Sequence, residues 1–176
     1  MGWRLMDFYD VLDRRASTRE FTDEAVPETV VARLLTSAVK APTAGNLQPW
    51  RFLVVRDRRV KRGLREAAFG QSFIEAAPVV IVVCADLDVC AHGYGSRGEH
   101  LYSIQDTAAA VENILLSAVA EGFAACWVGA FDEDAARGVL DLAPGVRPLA
   151  MVPVGKAARS GAKRSREPFE KFTEFI

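Results

Sequence analysis

The run Val79-Val80-Ile81-Val82-Val83-Cys84-Ala85 constrains the fold of this chain more than any other feature. Its side chains are apolar without alternation and mostly β-branched, so as a strand it has no face to turn to water and needs cover on both sides. Helical and strand patterns alternate around it without repeats or a linker, which predicts a single α/β-layered domain. A helix is expected over Met6–Arg14, and another from Pro27, set at a first helical position, to about Lys40, with Val31, Leu34, Leu35 and Ala38 on one face. Trp50–Arg56 reads as a strand and Arg58–Ala68 as a basic amphipathic helix. Ser103 with Asp106 has the spacing of a capping box opening the longest helix, which carries Val111, Ile114, Leu115 and Ala118 on one stripe and closes at Gly122. Ala125–Gly129 reads as a strand, Asp132 as the cap of a helix over Glu133–Leu142, and Pro148–Gly155 as a further strand.

At 176 residues the chain fits one domain with a sizeable core. Its residues are 50% hydrophobic and 26% charged, and the formal net charge of −1 argues against a partner held mainly by charge, such as bulk nucleic acid. Met1 to Asp7 turns acidic before an apolar segment develops, so no signal peptide is read there. The longest apolar run, Ala76–Ala85, is far too short to span a bilayer. A cytoplasmic protein with no membrane partner is expected. Three cysteines, Cys84, Cys90 and Cys126, without a C-x-x-C pair suggest neither disulfides nor zinc, and His92 and His100 have no second ligand at metal spacing. No metal site is expected.

Residues 41–52, Ala-Pro-Thr-Ala-Gly-Asn-Leu-Gln-Pro-Trp-Arg-Phe, join a helix to a strand through small side chains that leave backbone groups open to a flat ligand. The same composition also suits a plain connector, and local chemistry leaves both readings open. Arg15-Ala16-Ser17-Thr18-Arg19 sets two guanidiniums and two hydroxyls within five residues, a set suited to phosphate oxygens, and Arg164-Ser165-Arg166 repeats that chemistry near the C-terminus. Either cluster alone also fits a solvated surface. Gly93-Tyr94-Gly95-Ser96-Arg97-Gly98 matches G-x-G-x-x-G, but Asp86–His92 separate it from its strand, so it reads as a flexible loop rather than a dinucleotide fingerprint. The basic run Arg56, Arg58, Arg59, Lys61, Arg62 and Arg65 lacks aromatics and is broken by Asp57 and Glu66, and reads as a solvated helix face. Three phenylalanines in the tail over Arg159–Ile176, Phe169, Phe172 and Phe175, suggest a segment that docks on something.

Taken together, four blocks resemble the FMN-dependent nitroreductase family over nearly the full chain: Arg15–Arg19 followed by Phe21, Ala41–Phe52, Gly122 through Cys126–Asp132, and Arg164–Pro168. The resemblance implies an α+β fold of three layers, α-β-α, with a central mixed, mainly antiparallel sheet. It also implies a homodimer with FMN in the interface and the tail, residues 159–176, docked on the partner subunit. Carried over, Arg15, Ala16 and Ser17 resemble the phosphate and ribityl ligands. Arg19 resembles the cation near flavin N1 and the C2 carbonyl, where it favours the anionic reduced ring. Pro42, Thr43, Ala44 and Asn46 resemble the loop lining the flavin from the partner. Val128, Gly129 and Ala130 match the loop whose backbone N–H reaches N5. Arg164 and Arg166 fall on a second phosphate clamp, and Gln71 on the pyrimidine edge.

The implied activity is FMN-dependent transfer of electrons from NADH or NADPH, in a ping-pong cycle, to a nitroaromatic, quinone or related small-molecule acceptor. No catalytic side chain is expected, since the cofactor carries the hard step. A specialised flavin dehydrogenase or dehalogenase of the same family, or an FMN-binding protein without turnover, remain as alternatives. The stretch between Asp86 and Ser103 is short and glycine-rich where longer relatives place helices over the flavin, which leaves the acceptor open.

Overall fold

Every residue from Val79 to Ala85 is fully buried in the computed structural model, which describes residues 6–159 and 165–176. Five strand-flanking helices and two neighbouring strands account for that burial. The apolar run forms β2 (Val79–Asp86), paired antiparallel on one side with β1 (Trp50–Val55) and on the other with β4 (Val146–Gly155). A two-residue strand, β3 (Ala124–Ala125), closes the order β1-β2-β4-β3, again antiparallel. One bridge of opposite sense, parallel between Ser17 and Ala125, extends the sheet beyond β3. The sheet is therefore mixed and mainly antiparallel.

Successive residues of β2 feed two separate layers, as the period of two requires. Val79, Ile81 and Val83 pack with Val30, Leu34 and Ala38 of α2 (Glu28–Ala38) and Val111, Ile114 and Ala118 of α6 (Ser103–Ala120). Val80, Val82 and Cys84 pack with Leu64 of α3 (Arg58–Ala67), Ile74 of α4 (Ser72–Ala76) and Ala136 of α7 (Glu133–Leu140). Each aliphatic side chain so enclosed contributes about 1.5–3 kcal/mol. The α-β-α layering follows from that two-sided demand.

Acidic caps start several helices. Asp7 accepts the Tyr9 N–H ahead of α1 (Phe8–Arg14), Asp57 accepts those of Arg59 and Val60 ahead of α3, and Asp132 accepts that of Ala135 ahead of α7. Pro27 is the cap residue of α2 rather than its first helical residue, and that cap makes no side-chain hydrogen bond. Among the described residues no helix is long and apolar enough to cross a membrane.

Three further sequence expectations change. The Gly93–Gly98 stretch is not a loop: α5 spans Leu87–Arg97, breaks at Tyr94 and Gly95, and continues through a π turn over Gly98–Tyr102 into α6. Gly93 has no side chain because a Cβ there would lie 2.4 Å from Leu47 Cδ1, so its glycine serves close packing rather than freedom. Ser103 and Asp106 form no capping box, since the chain is already helical there; the Ser103 hydroxyl donates to the Glu99 carbonyl at 2.6 Å and Asp106 serves a distant segment. The strand expected over Ala125–Gly129 forms a ladder only at Ala124–Ala125, after which the Cys126 N–H still donates to the Pro153 carbonyl at 3.2 Å and Val128 bridges Met151. The tail holds a 3-10 turn over Phe169–Phe172, and Phe169, Phe172 and Phe175 are exposed.

Candidate functional site

The Arg15–Arg19 cluster is held at the edge of the sheet by backbone, not by its side chains. Arg15 ends α1, its N–H donating to the Val11 carbonyl at 3.0 Å, and the Thr18 N–H donates to the Ala125 carbonyl at 3.1 Å beside the Ser17–Ala125 bridge. Thr18 turns into the core at 4% exposure, which leaves its neighbours Ser17 and Arg19 on the open side. The other three polar members of the cluster, Arg15, Ser17 and Arg19, gather around Cys126. Burial pushes the Cys126 thiol up, against the opposing pull of Arg19, a hydrogen bond from Ser17 and the charge of Arg15.

Arg19 also reaches across to α4, where its guanidinium stands 5.8 Å from the centre of the Phe73 ring. Two residues before Phe73, the Gln71 side-chain amide donates to the Ala130 carbonyl at 3.0 Å and to the Ala68 carbonyl at 3.1 Å. The loop that Gln71 grips is anchored at its base by the Val128 N–H to the Met151 carbonyl at 2.9 Å and the return bond at 3.0 Å. Gly129 and Ala130 are exposed, and their N–H groups take no acceptor among the described residues. Arg15, Ala16, Ser17, Arg19, Gln71, Val128, Gly129 and Ala130 are thus brought together by one chain from three separate segments.

Pro42, Thr43, Ala44 and Asn46 are not with them. Ala44–Asn46 forms a 3-10 turn with Gly45, Asn46 and Gln48 at φ +55, +57 and +53. The turn leads to Pro49, whose carbonyl accepts the Asp86 N–H, and to Trp50, which pairs with Ala85. In β4 the partner of Ala85 is Arg147, whereas that of Ala125 is Val154. At about 3.3 Å per residue, the turn and the Arg15–Arg19 cluster lie roughly 20 Å apart at opposite ends of the sheet. Helix α6 gives the same answer, with Asp106 near its start bonded to Ala44 and its end running into β3.

Arg166 lies in the exposed segment ahead of Phe169, and Arg164 falls outside the described residues. His92 and His100 are exposed, and among the described residues no group of His, Cys, Asp and Glu could hold a metal. Cys84 is buried and its thiol is pushed up to about 12 by burial. The basic helix face is largely spent on one carboxylate, since Glu75 meets Arg58, Arg62 and Arg65 at 3.5, 3.4 and 2.7 Å, while Lys61 is buried and donates to the Ala77 carbonyl.

Three residues at these two places escaped the sequence reading. Phe73 gave no local signal, because an aromatic in a short helix is ordinarily core. Tyr94 packs its hydroxyl end against Gly45, a long-range contact with no local mark. Asp106 did carry a signal: it sits on the stripe of Ala110, Ile114 and Ala118, where a carboxylate needs a reason.

The family model described as "Nitroreductase family" matches residues 12–74 and 69–156. A protein named "NADH dehydrogenase" of Thermus thermophilus is 36% identical over 185 residues, covering 90% of each chain. An "NADPH-dependent oxidoreductase" of Staphylococcus aureus is 29% identical, over 92% of this chain and 70% of its own. The crystal structure of the nitroreductase family protein from Streptococcus pneumoniae superposes with a TM-score of 0.88 at 23% identity, covering 97% of this chain and 100% of that one, a likeness of fold.

Proposed function

The chain belongs to the nitroreductase family, and from that premise we propose that it is an NAD(P)H oxidoreductase that holds FMN between the two subunits of a homodimer. The observation that most supports this is the convergence of Arg15, Ser17, Arg19, Gln71 and the open Gly129 and Ala130 amides at one end of the sheet, with the small-residue turn at the other. The donor set fits the cofactor. Arg15 and Ser17 would hold its phosphate and ribityl chain, Arg19 would set a cation against the pyrimidine edge, and Gln71 would keep the Gly129–Ala130 amides turned toward the ring. The Arg164 and Arg166 pair of the tail would close over the phosphate.

FMN, when bound, supplies the redox chemistry, accepting hydride from NADH or NADPH in one half-reaction and passing electrons to a nitroaromatic, quinone or related acceptor in the next. The chain's own residues bind, orient and exclude water, and no side chain is needed as acid or base. Residues 1–176 would act as one domain.

The roughly 20 Å between the two groups of lining residues favours a site shared by two chains, since a single isoalloxazine ring cannot touch both ends of one sheet. A two-fold axis brings the Pro42–Asn46 turn of each subunit to the other's cluster. The exposed phenylalanines of the tail would be covered in the same assembly.

Anaerobic titration tests this reading. Protein loaded with FMN should lose its visible flavin band on addition of NADH or NADPH and regain it on addition of a quinone or nitroaromatic. Failure to take up FMN would overturn the proposal. Uptake without reduction would identify a binding protein, and discharge only by a halogenated aromatic a dehalogenase.

A further inference from the structure

Asp106 faces the core from α6 at 6% exposure, on the same stripe as Ala110 and Ile114, where a carboxylate is expensive to keep. Its Oδ1 accepts the backbone N–H of Ala44 at 3.1 Å, from a segment 62 residues away. Ala44 opens the 3-10 turn, and such a turn leaves its first N–H groups without internal acceptors. The residue before it, Thr43, could have capped the turn, but its hydroxyl oxygen is taken by the Gln48 N–H at 3.2 Å. The turn therefore has no side-chain cap of its own, and a carboxylate from another helix fills that place.

The turn needs such an anchor. Gly45, Asn46 and Gln48 all sit in the left-handed region, two of them with a Cβ to accommodate, and short of tertiary contacts this shape relaxes. Tyr94 lies against Gly45 from one side, its hydroxyl 2.6 Å from where a Cβ would stand, and Asp106 holds Ala44 from beneath. We propose that Asp106 is a positioning residue, which fixes the Thr43–Gln48 turn in the shape that lines the flavin of the partner subunit. This rests on the reading above, that the turn is a flavin lining.

Three variants test it in the full-length dimer. Asp106→Asn keeps an oxygen for the Ala44 N–H and drops the charge, whereas Asp106→Ala removes both. Ala44→Pro deletes the donor and leaves α6 intact; proline suits the first position of a turn that follows an extended residue, as Thr43 is at φ −135 and ψ 154. The readouts are hydrogen exchange at the Leu47 and Gln48 amides, the dissociation constant of added FMN, and kcat and KM with a quinone.

Asp106→Ala and Ala44→Pro should each speed exchange in the turn and weaken FMN by about tenfold, with the β2 amides as protected as before. Asp106→Asn should stay within about threefold of wild type, because the acceptor is retained. The proposal fails if Ala44→Pro binds FMN as wild type does with its turn still protected, or if Asp106→Asn is as impaired as Asp106→Ala. Should Asp106→Ala not fold, the other two variants decide. If wild-type protein takes up no FMN while Ala44→Pro still frees the turn amides, the flavin reading falls and the anchoring role stands.

Discussion

The side-chain amide of Gln71 bridges the carbonyls of Ala68 and Ala130 at 3.1 and 3.0 Å. One glutamine thereby ties the end of α3 to the exposed loop after Val128, two segments that share no strand. It tethers the Ala130 carbonyl in a loop whose Gly129 and Ala130 N–H groups take no acceptor among the described residues.

Gln71→Ala should therefore cost function more than stability. Two ordinary hydrogen bonds at the surface are worth about 1 kcal/mol net, a fall in Tm of about 2–4 °C for a chain of this size. FMN affinity should fall by about tenfold, since the loop loses its tether. Gln71→Glu, which sets an acceptor against two carbonyls, should be worse on both counts. Thermal melts with and without FMN measure the two effects together.

A pH test follows from Asp106. Burial raises its carboxyl above the ordinary value, and the Ala44 N–H pulls it back only in part. The folded value lies above the unfolded one, so the folded chain holds the proton more tightly and the ionised group costs stability at neutral pH. That cost fades as pH falls through the raised value toward the unfolded one of about 4. Cys90, which faces Asp106 from α5, has its thiol pushed up to about 11, by burial first and then by Asp106 and Asp86, and stays neutral throughout. Urea midpoints should show Asp106→Asn ahead of wild type at about pH 7 and the gap narrowing at about pH 4. An equal gap at both would contradict the assignment.

Gly45 and Tyr94 should be energetically coupled. Gly45→Ala places a Cβ both in the left-handed region and 2.6 Å from the Tyr94 hydroxyl oxygen, and should destabilise the chain by about 1–3 kcal/mol. Tyr94→Ala removes only the second of these problems. A double-mutant cycle read by denaturant unfolding should recover part of the loss in the double variant, and strict additivity would show that the contact carries no strain.

How far the sequence was legible depended on the range of the interaction. Val79–Ala85 could be placed in the middle of the sheet because an unbroken apolar run has only one solution there, and Asp132 could be placed as a cap because its partner, Ala135, is three residues on. That Arg15, Ser17 and Arg19 lie together could be anticipated because they occupy one short stretch. Gly93 was misread, since a glycine that permits Leu47 to approach looks the same in sequence as one that permits bending. Asp106 was misread for a related reason: the spacing from Ser103 satisfied a local rule, while the residue that decides its role is 62 positions away. That the two groups of candidate residues sit at opposite ends of the sheet emerged only from the pairing of β2 with β4.

The most direct test of the proposed shared site is complementation between two defective chains. Arg15→Ala damages the cluster and Ala44→Trp fills the turn, so neither variant should hold FMN as a homodimer. A heterodimer isolated through two different tags has one site carrying both defects and one carrying none, and should bind about one FMN per pair of chains and be reduced by NADH or NADPH. If each site lies within a single chain, the heterodimer has no intact site. A colourless heterodimer would contradict the account.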